Sequence, residues 1–416
     1  MRARLLMLVA TIASATAARH GVPLEFALFA LTLLGIVVFS RHTLFVALAG
    51  LVALALYKVG FGEFKTGTGF TGLALHLANE WVILANLLGL LLGFELLSAH
   101  FEASRVPAAL PRFLPSDWRG AFVLLAVVFV LSAFLDNIAA ALIGATMARG
   151  LFRGRVHLGY LAAIVGAANA GGAGSVVGDT TTTMMWIAGV SPFSVLHAYV
   201  AGAVALVVCG VPGSLQQQRH SPIAKETQES TSVDWLRVAI VASVVAAAIA
   251  VNVIANVYFP EALDRVPLIA IAIWVALIAT AWLRKAAWSV LPAALNGAVF
   301  LLALVAMASM MPVEKLPPAS AAVTLAIGFV SAVFNNIPLT ALALKQGGYD
   351  WGMLAYTVGF GGSIVWFGSS AGVAVSDLYP EAKSAGLWLK HGWHVVVAYV
   401  VGFAVLFAIV GWMPPE

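Results

Sequence analysis

LSAFLDNIAAAL, residues Leu131–Leu142, and VSAVFNNIPLTA, residues Val330–Ala341, are two versions of one pattern. Each opens as an apolar run, stops at a polar pair, Asp136-Asn137 or Asn335-Asn336, and resumes as an apolar run. Downstream of each lies a glycine-rich interruption, GGAGSVVGDT at Gly171–Thr180 and GGSIVWFGSS at Gly361–Ser370, with glycine at the first, second and eighth places of both. Polar breaks at matching places in two halves of a chain point to a duplicated unit whose helices are interrupted mid-way.

Composition sets the solvent around those breaks. Of 416 residues, 62% are hydrophobic and only 10% are charged. A water-soluble domain cannot hide that much apolar side chain. Apolar stretches of about 18–25 residues recur along the length, as needed to cross roughly 30 Å of hydrocarbon. The expected fold class is therefore an all-α polytopic membrane protein with about 10–11 transmembrane helices. These are arranged in two inverted-topology repeats, each holding a re-entrant hairpin at the Asn-bearing break and a full crossing broken by glycines.

The net charge of +4 comes from basic residues scattered singly between apolar runs. They form no stripe, which argues against a nucleic-acid partner and leaves membrane lipid as the surrounding medium. The single cysteine, Cys209, lies in an apolar run, so it excludes an intramolecular disulfide and reads as a space-filling thiol.

Boundaries follow from the polar gaps. Residues 1–41 hold a signal-like or short helical segment, Leu5–Ala18 behind Arg2 and Arg4, and one extra transmembrane helix. Residues 42–211 form the first repeat, 212–265 a polar linker and connecting helix, and 266–413 the second repeat. Pro212–Asp234, rich in Gln, Ser, Thr, Lys and Glu, reads as the linker itself. With the two hairpins re-entrant, only Arg19, Lys58, Lys65, Arg265, Lys315 and Lys345 of the 22 basic residues fall outside, an asymmetry that follows the positive-inside rule. The expected location is the inner (plasma) membrane of a cell.

Backbone is irregular at membrane depth only where protein or a watery cavity satisfies it. The four breaks should therefore meet around one polar cavity. A bland role exists for each polar residue there. Asp136, Asn137, Asn335 and Asn336 suit helix N-caps, while Ser331, Thr340, Ser363, Ser369 and Ser370 also suit close helix packing. Function outweighs capping for Asp136, because a carboxylate deep in an apolar span nearly always faces a pathway. Asp179 follows the glycine turn, with Thr180–Thr183 behind it; one or two of those hydroxyls should bond back to the helix, and Asp179 and Thr180 are the cavity candidates. Glu95 and Glu80 share one span; interfacial exposure or an ion pair competes with a transport role for Glu95 and outweighs it for Glu80. No Lys or Arg occurs in the four breaks. That favours a hard monovalent cation or protons over an anionic substrate, although half-helix N-termini also hold anions.

The segments LLGFELLSAHF (Leu91–Phe101), FLDN (Phe134–Asn137), AANAGGAGSVVGDTTTTMMWI (Ala167–Ile187), FNNIPL (Phe334–Leu339) and GGSIVWFGSSAGVA (Gly361–Ala374) resemble the ion transporter superfamily, and within it the NhaD-type sodium/proton antiporters. The Asn-Ala-Gly-Gly to Gly-Asp-Thr-Thr-Thr run is the most specific of these. The resemblance implies an inverted-repeat fold that expels sodium or lithium in exchange for protons, with no cofactor beyond those ions. It favours Glu95, Asp136, Asn137, Asn169, Asp179 and Asn336 as site residues. Thr180, Asn335, Ser363 and Ser369 complete the candidate set. Sodium is expected at Asp136 and Asp179, and Asp136, Asp179 and Glu95 are the proton-coupling candidates. Two departures stand out: Ile138-Ala139-Ala140 replaces threonines usual in that group, and Asn335 replaces an Asp. Both lean towards relatives that carry citrate, dicarboxylates or arsenite, so a sodium- or proton-coupled anion transporter is the alternative. Homodimers are common in the superfamily, and a dimer is possible here.

An enzyme has little support. His391 and His394 stand three residues apart without further metal ligands, and no nucleophile or phosphate-loop motif occurs. Trp388 and Trp393 beside them read as an interfacial anchor.

Overall fold

The structure is a computed structural model that describes residues 23–39, 42–106, 114–223, 232–263, 265–334 and 336–415. Asn335 and the Leu5–Ala18 segment lie outside the described residues. The described chain is helical throughout, with no β-strand among the described residues.

The first helices are α1 (Leu24–Val38), α2 (Thr43–Phe61) and α3 (Gly69–Ala103). Then come α4 (Trp118–Ser132) and α5 (Asn137–Leu151), the arms of the first hairpin, and α6 (Leu158–Gly172) and α7 (Thr180–Ile187), the halves of the first broken helix. Helices α8 (Ala198–His220), α9 (Trp235–Tyr258), α10 (Leu268–Thr280) and α11 (Leu291–Ser309) follow. The second hairpin is α12 (Ala321–Ser331) and α13 (Asn336–Gln346), and the second broken helix is α14 (Trp351–Gly361) and α15 (Ser370–Leu378). The chain ends with α16 (Ala385–His391) and α17 (Trp393–Val410).

Among the described residues, six helical stretches are long and apolar enough to cross a membrane. Their outward faces carry Phe45, Phe61, Phe70, Trp81, Trp235 and Ile409, all exposed. Large apolar side chains on an outer surface are costly in water and at home in lipid.

Two packing groups divide the interior. One core runs through α4–α8 and α12–α17, with α3, α9 and α10 packed into it; within it α6, rich in Gly and Ala, is buried from Gly159 to Gly172 along its whole girth. A helix buried on all sides must be surrounded by other helices, and α4, α5, α8 and α14 supply them. The second group, α1, α2, α3 and α11, reaches the first through Met184, Ile337 and Ala341. Close crossings replace hydrophobic drive in such a medium. At Gly93 of α3, for example, an added methyl group would lie 2.5 Å from Ile273 of α10.

Several boundaries differ from the sequence reading. The span read as Glu80–Leu97 is a 35-residue helix, longer than a straight crossing needs. The polar stretch after Val211 is not all linker, since α8 continues through Pro212 to His220. Its polarity is spent on tying the chain: buried Gln217 accepts from the His157 amide at 2.8 Å and donates to the Arg155 and Ser221 carbonyls at 3.0 Å. Trp388 is no interfacial anchor. It is 1% exposed, with its indole N–H donating to the Ser363 carbonyl at 3.2 Å, whereas Trp393 is half exposed.

Candidate functional site

The two hairpins dock on the two broken helices in the same way. In the first half, methyl groups on Gly171 and Gly178 would lie 2.0 Å from the Phe129 carbonyl oxygen and 2.1 Å from that of Ser132. In the second, Gly361 and Gly368 meet the carbonyls of Gly328 and Ala332, at 2.3 and 2.6 Å. Any side chain at these positions would push the hairpin tip away. This close backbone approach explains the glycine spacing shared by GGAGSVVG and GGSIVWFG.

Docking brings polar helix ends together. Asp136 caps α5, its Oδ2 accepting from the Ile138 amide at 3.1 Å, and Asp179 caps α7, its Oδ1 accepting from the Thr181 amide at 3.0 Å. Helix α13 starts at Asn336. From these ends a network spans both halves. Asn137 Nδ2 donates to Asn169 Oδ1 at 3.0 Å, and Asn169 Nδ2 donates to Ser363 Oγ at 2.8 Å. Asn336 Nδ2 approaches Asp179 Oδ1 at 3.5 Å, and the Asn137 amide also lies beside that carboxylate. Asn137, Asn169, Asp179, Asn336 and Ser363 are all buried, while Asp136 is half-buried.

One atom in this network stands apart. Oδ2 of Asp179 is buried and accepts no hydrogen bond. Among the described residues no ion pair reaches Asp179 or Asp136. Opposite Oδ2 lies Gly359 of α14, where an added methyl group would stand 3.1 Å away. Extending the sequence echo shows that Gly359 occupies the place in the second half that Asn169 occupies in the first. The register carried this signal, but reading only the shared glycines missed it. Trp388, which supports Ser363 from behind, left no comparable signal.

The remaining candidates divide. Thr180 is buried at the first turn of α7. Thr182 and Thr183 bond back to the Asp179 carbonyl at 2.9 and 3.0 Å, as expected for part of the threonine run. Ser369 caps α15 by accepting from the Gly372 amide at 3.2 Å. Ser331 and Thr340 donate to the carbonyls of Val358 and Asn336. Glu95 sits on an exposed face of α3, outside the hydrogen-bonded network, although its charge and that of Asp179 act on Asp136 through space. Glu80 forms an ion pair with Lys345.

An apolar-surfaced bundle whose interrupted helices gather carboxylates, amides and hydroxyls in its interior defines a membrane transporter. Residues 26–361 match the family described as CitMHS, citrate transporter, and the chain belongs to that family. It is also similar to two curated proteins of Arabidopsis thaliana. Sodium/proton antiporter 1 is 27% identical over 401 residues, covering 86% of this chain and 67% of the relative. Sodium/proton antiporter 2 is 32% identical over 182 residues, covering 42% of this chain and 41% of the relative, so the matched part is under half of that protein.

Proposed function

We propose that this protein exchanges Na⁺ or Li⁺ for H⁺ across the inner (plasma) membrane by alternating access, with Asp179 and Asp136 as the carboxylates for which the two ions compete. The observation that carries this reading is the bare Oδ2 of Asp179. A buried carboxylate oxygen without a donor calls for a proton or a cation. Oxygen-rich surroundings suit a hard ion, and the amides of Asn137 and Asn336 can turn by half a rotation to offer carbonyl oxygens. Protonation satisfies the carboxylate in one state and the metal ion in the other. Because both cannot be held at once, the two fluxes are coupled. The names of the Arabidopsis relatives support the same ions, and the paired hairpins and broken helices suit inverted repeats with the basic ends of α5, α8 and α10 in the cytoplasm.

One observation favours a second reading, coupled transport of an anion such as citrate, a dicarboxylate or arsenite. The N-termini of α5, α7 and α13 converge on the site, and helix N-termini attract negative charge without basic side chains. The family's description points the same way. Purified protein in liposomes loaded with a pH-sensitive dye separates the two. Exchange predicts proton movement on adding sodium or lithium alone, abolished by Asp179→Asn and strongly reduced by Asp136→Asn. A response that requires citrate or succinate, or that survives both substitutions, overturns it.

A further inference from the structure

Helices α7 and α13 start together at the site, where Asp179 and Asn336 meet at 3.5 Å, and run out to the same face of the molecule. Nine residues of helix separate Asn336 from Lys345, a distance of about 13 Å. A crevice of about 230 Å³ lies between the outer turns of these helices and the neighbouring α3 and α11. Met184 and Ile187 of α7, Leu87 of α3 and Ala341 of α13 line it, and Glu80, Ser309 and Lys345 supply its polar groups. At about 30 Å³ of liquid volume each, it has room for several waters. Met184 is one turn beyond Thr180 and Thr181, so the crevice points along α7 towards Asp179.

The crevice is bridged by one ion pair. Lys345 Nζ, on the last turn of α13, donates to Glu80 Oε1 on α3, joining two helices 265 residues apart. The Glu80 side chain is 13% exposed and that of Lys345 33%, so the pair is only partly open to screening. Helices α3 and α13 contribute to one apolar cluster, Leu87 from α3 with Ile337 and Ala341 from α13, while α13 also packs on α7 and α14 of the other core. Motion of α13 away from α3 would therefore have to break this link. His76, one turn before Glu80, bonds Ser309 at 2.9 Å and closes the same end.

We propose that this crevice is the outer access path to the site and that the Glu80–Lys345 ion pair is its gate. When Lys345 swings away, the Glu80 carboxylate is left at the mouth and attracts an incoming hydrated monovalent cation. The pair thus blocks the path when closed and recruits the cation when open. The proposal deepens the exchange reading by adding the route and its control, and it rests on that reading for the identity of the ion.

Thiol labelling tests the gate without relying on transport, because the single native cysteine, Cys209, is buried and silent. A cysteine placed at Met184, inside the crevice, is exposed to a charged, water-soluble thiol reagent in detergent-solubilised protein. Slow labelling is expected with the native pair, and Lys345→Gln should speed it by at least about fivefold, the scale of a partly exposed ion pair. The swapped pair, Glu80→Lys with Lys345→Glu, should restore slow labelling. A rate indifferent to Lys345→Gln, or a swapped pair that labels as fast as Lys345→Gln, overturns the gate. If the gate fails this test while Asp179→Asn still abolishes sodium-driven proton movement, the exchange reading stands alone. If labelling follows the pair but sodium drives no proton movement, the path stands and the ion assignment falls.

Discussion

Asn169 donates its side-chain amide to Ser363 Oγ at 2.8 Å across 194 residues of sequence, joining the end of the first broken helix to the loop of the second. The same side chain accepts from Asn137 at 3.0 Å, so one residue ties a hairpin and two broken helices. With Asn169 fully buried, neither bond has water as a substitute.

Asn169→Ala should therefore remove one hydrogen bond each from the buried Asn137 amide and the Ser363 hydroxyl. The expected cost is about 1–3 kcal/mol. Loss of ion exchange should accompany it, because the halves of the site are no longer held in register. A lower melting temperature in detergent together with lost dye response is the expected result. Unchanged exchange would show that the bridge is purely structural.

Gly359→Ala isolates space at the carboxylate. Its methyl group would lie 3.1 Å from Asp179 Oδ2, tight but without a backbone clash. The substitution should leave stability near that of the parent, within about 1 kcal/mol, while occupying the volume an ion would use. Apparent sodium affinity measured by dye dequenching should fall roughly tenfold, corresponding to about 1.4 kcal/mol. Equal affinities in parent and variant would place the ion away from Oδ2.

Much of this arrangement is legible in the sequence because the breaks are polar and glycine-rich inside apolar runs. The pairing of FLDN with FNNI marks the hairpins, and the shared glycines mark where their tips dock. What stays hidden depends on partners remote in the chain. Nothing local says that Trp388 turns inward to Ser363, that Glu80 meets Lys345, or that Gln217 extends α8 by bonding the loop before α6. Glu95 is only partly legible: its place in an apolar motif resembles a site residue, and the rotation of α3 gives it an exposed face outside the hydrogen-bonded network while its charge still acts on Asp136.

Glycine tolerance should follow docking. Gly178→Ala and Gly368→Ala place methyl groups 2.1 and 2.6 Å from backbone carbonyls of the hairpin tips. Backbone at a packed tip cannot move aside cheaply, so each should cost at least about 1–3 kcal/mol and much of the folded yield. Gly297, within α11, has open space around it. There Gly297→Ala should be neutral or stabilise by up to about 1 kcal/mol. Thermal melting in detergent of the three variants distinguishes docking glycines from a merely helical one.

Acid should loosen the end of the bundle held by Asp234. Its Oδ2 accepts from Arg284 Nε at 2.8 Å, its Oδ1 caps α9, and its own amide donates to the Ser104 carbonyl beyond α3 at 2.9 Å. The hydrogen bond from Arg284 holds the Asp234 carboxyl below the ordinary carboxylate value. A group depressed in the folded state contributes stability above its unfolded value, near pH 4, and loses that contribution as pH falls through the folded value. Parent protein should therefore lose melting temperature between about pH 5 and about pH 3. Asp234→Asn, unable to lose a charge it does not carry, should start lower at neutral pH and show a shallower decline over the same range. Because Arg284 stands at the end of α10 and Asp234 at the start of α9, exchange at these two ends should be the first backbone protection lost in hydrogen-exchange measurements on acidification. Parallel pH curves for parent and variant would show that the clasp contributes nothing to acid sensitivity.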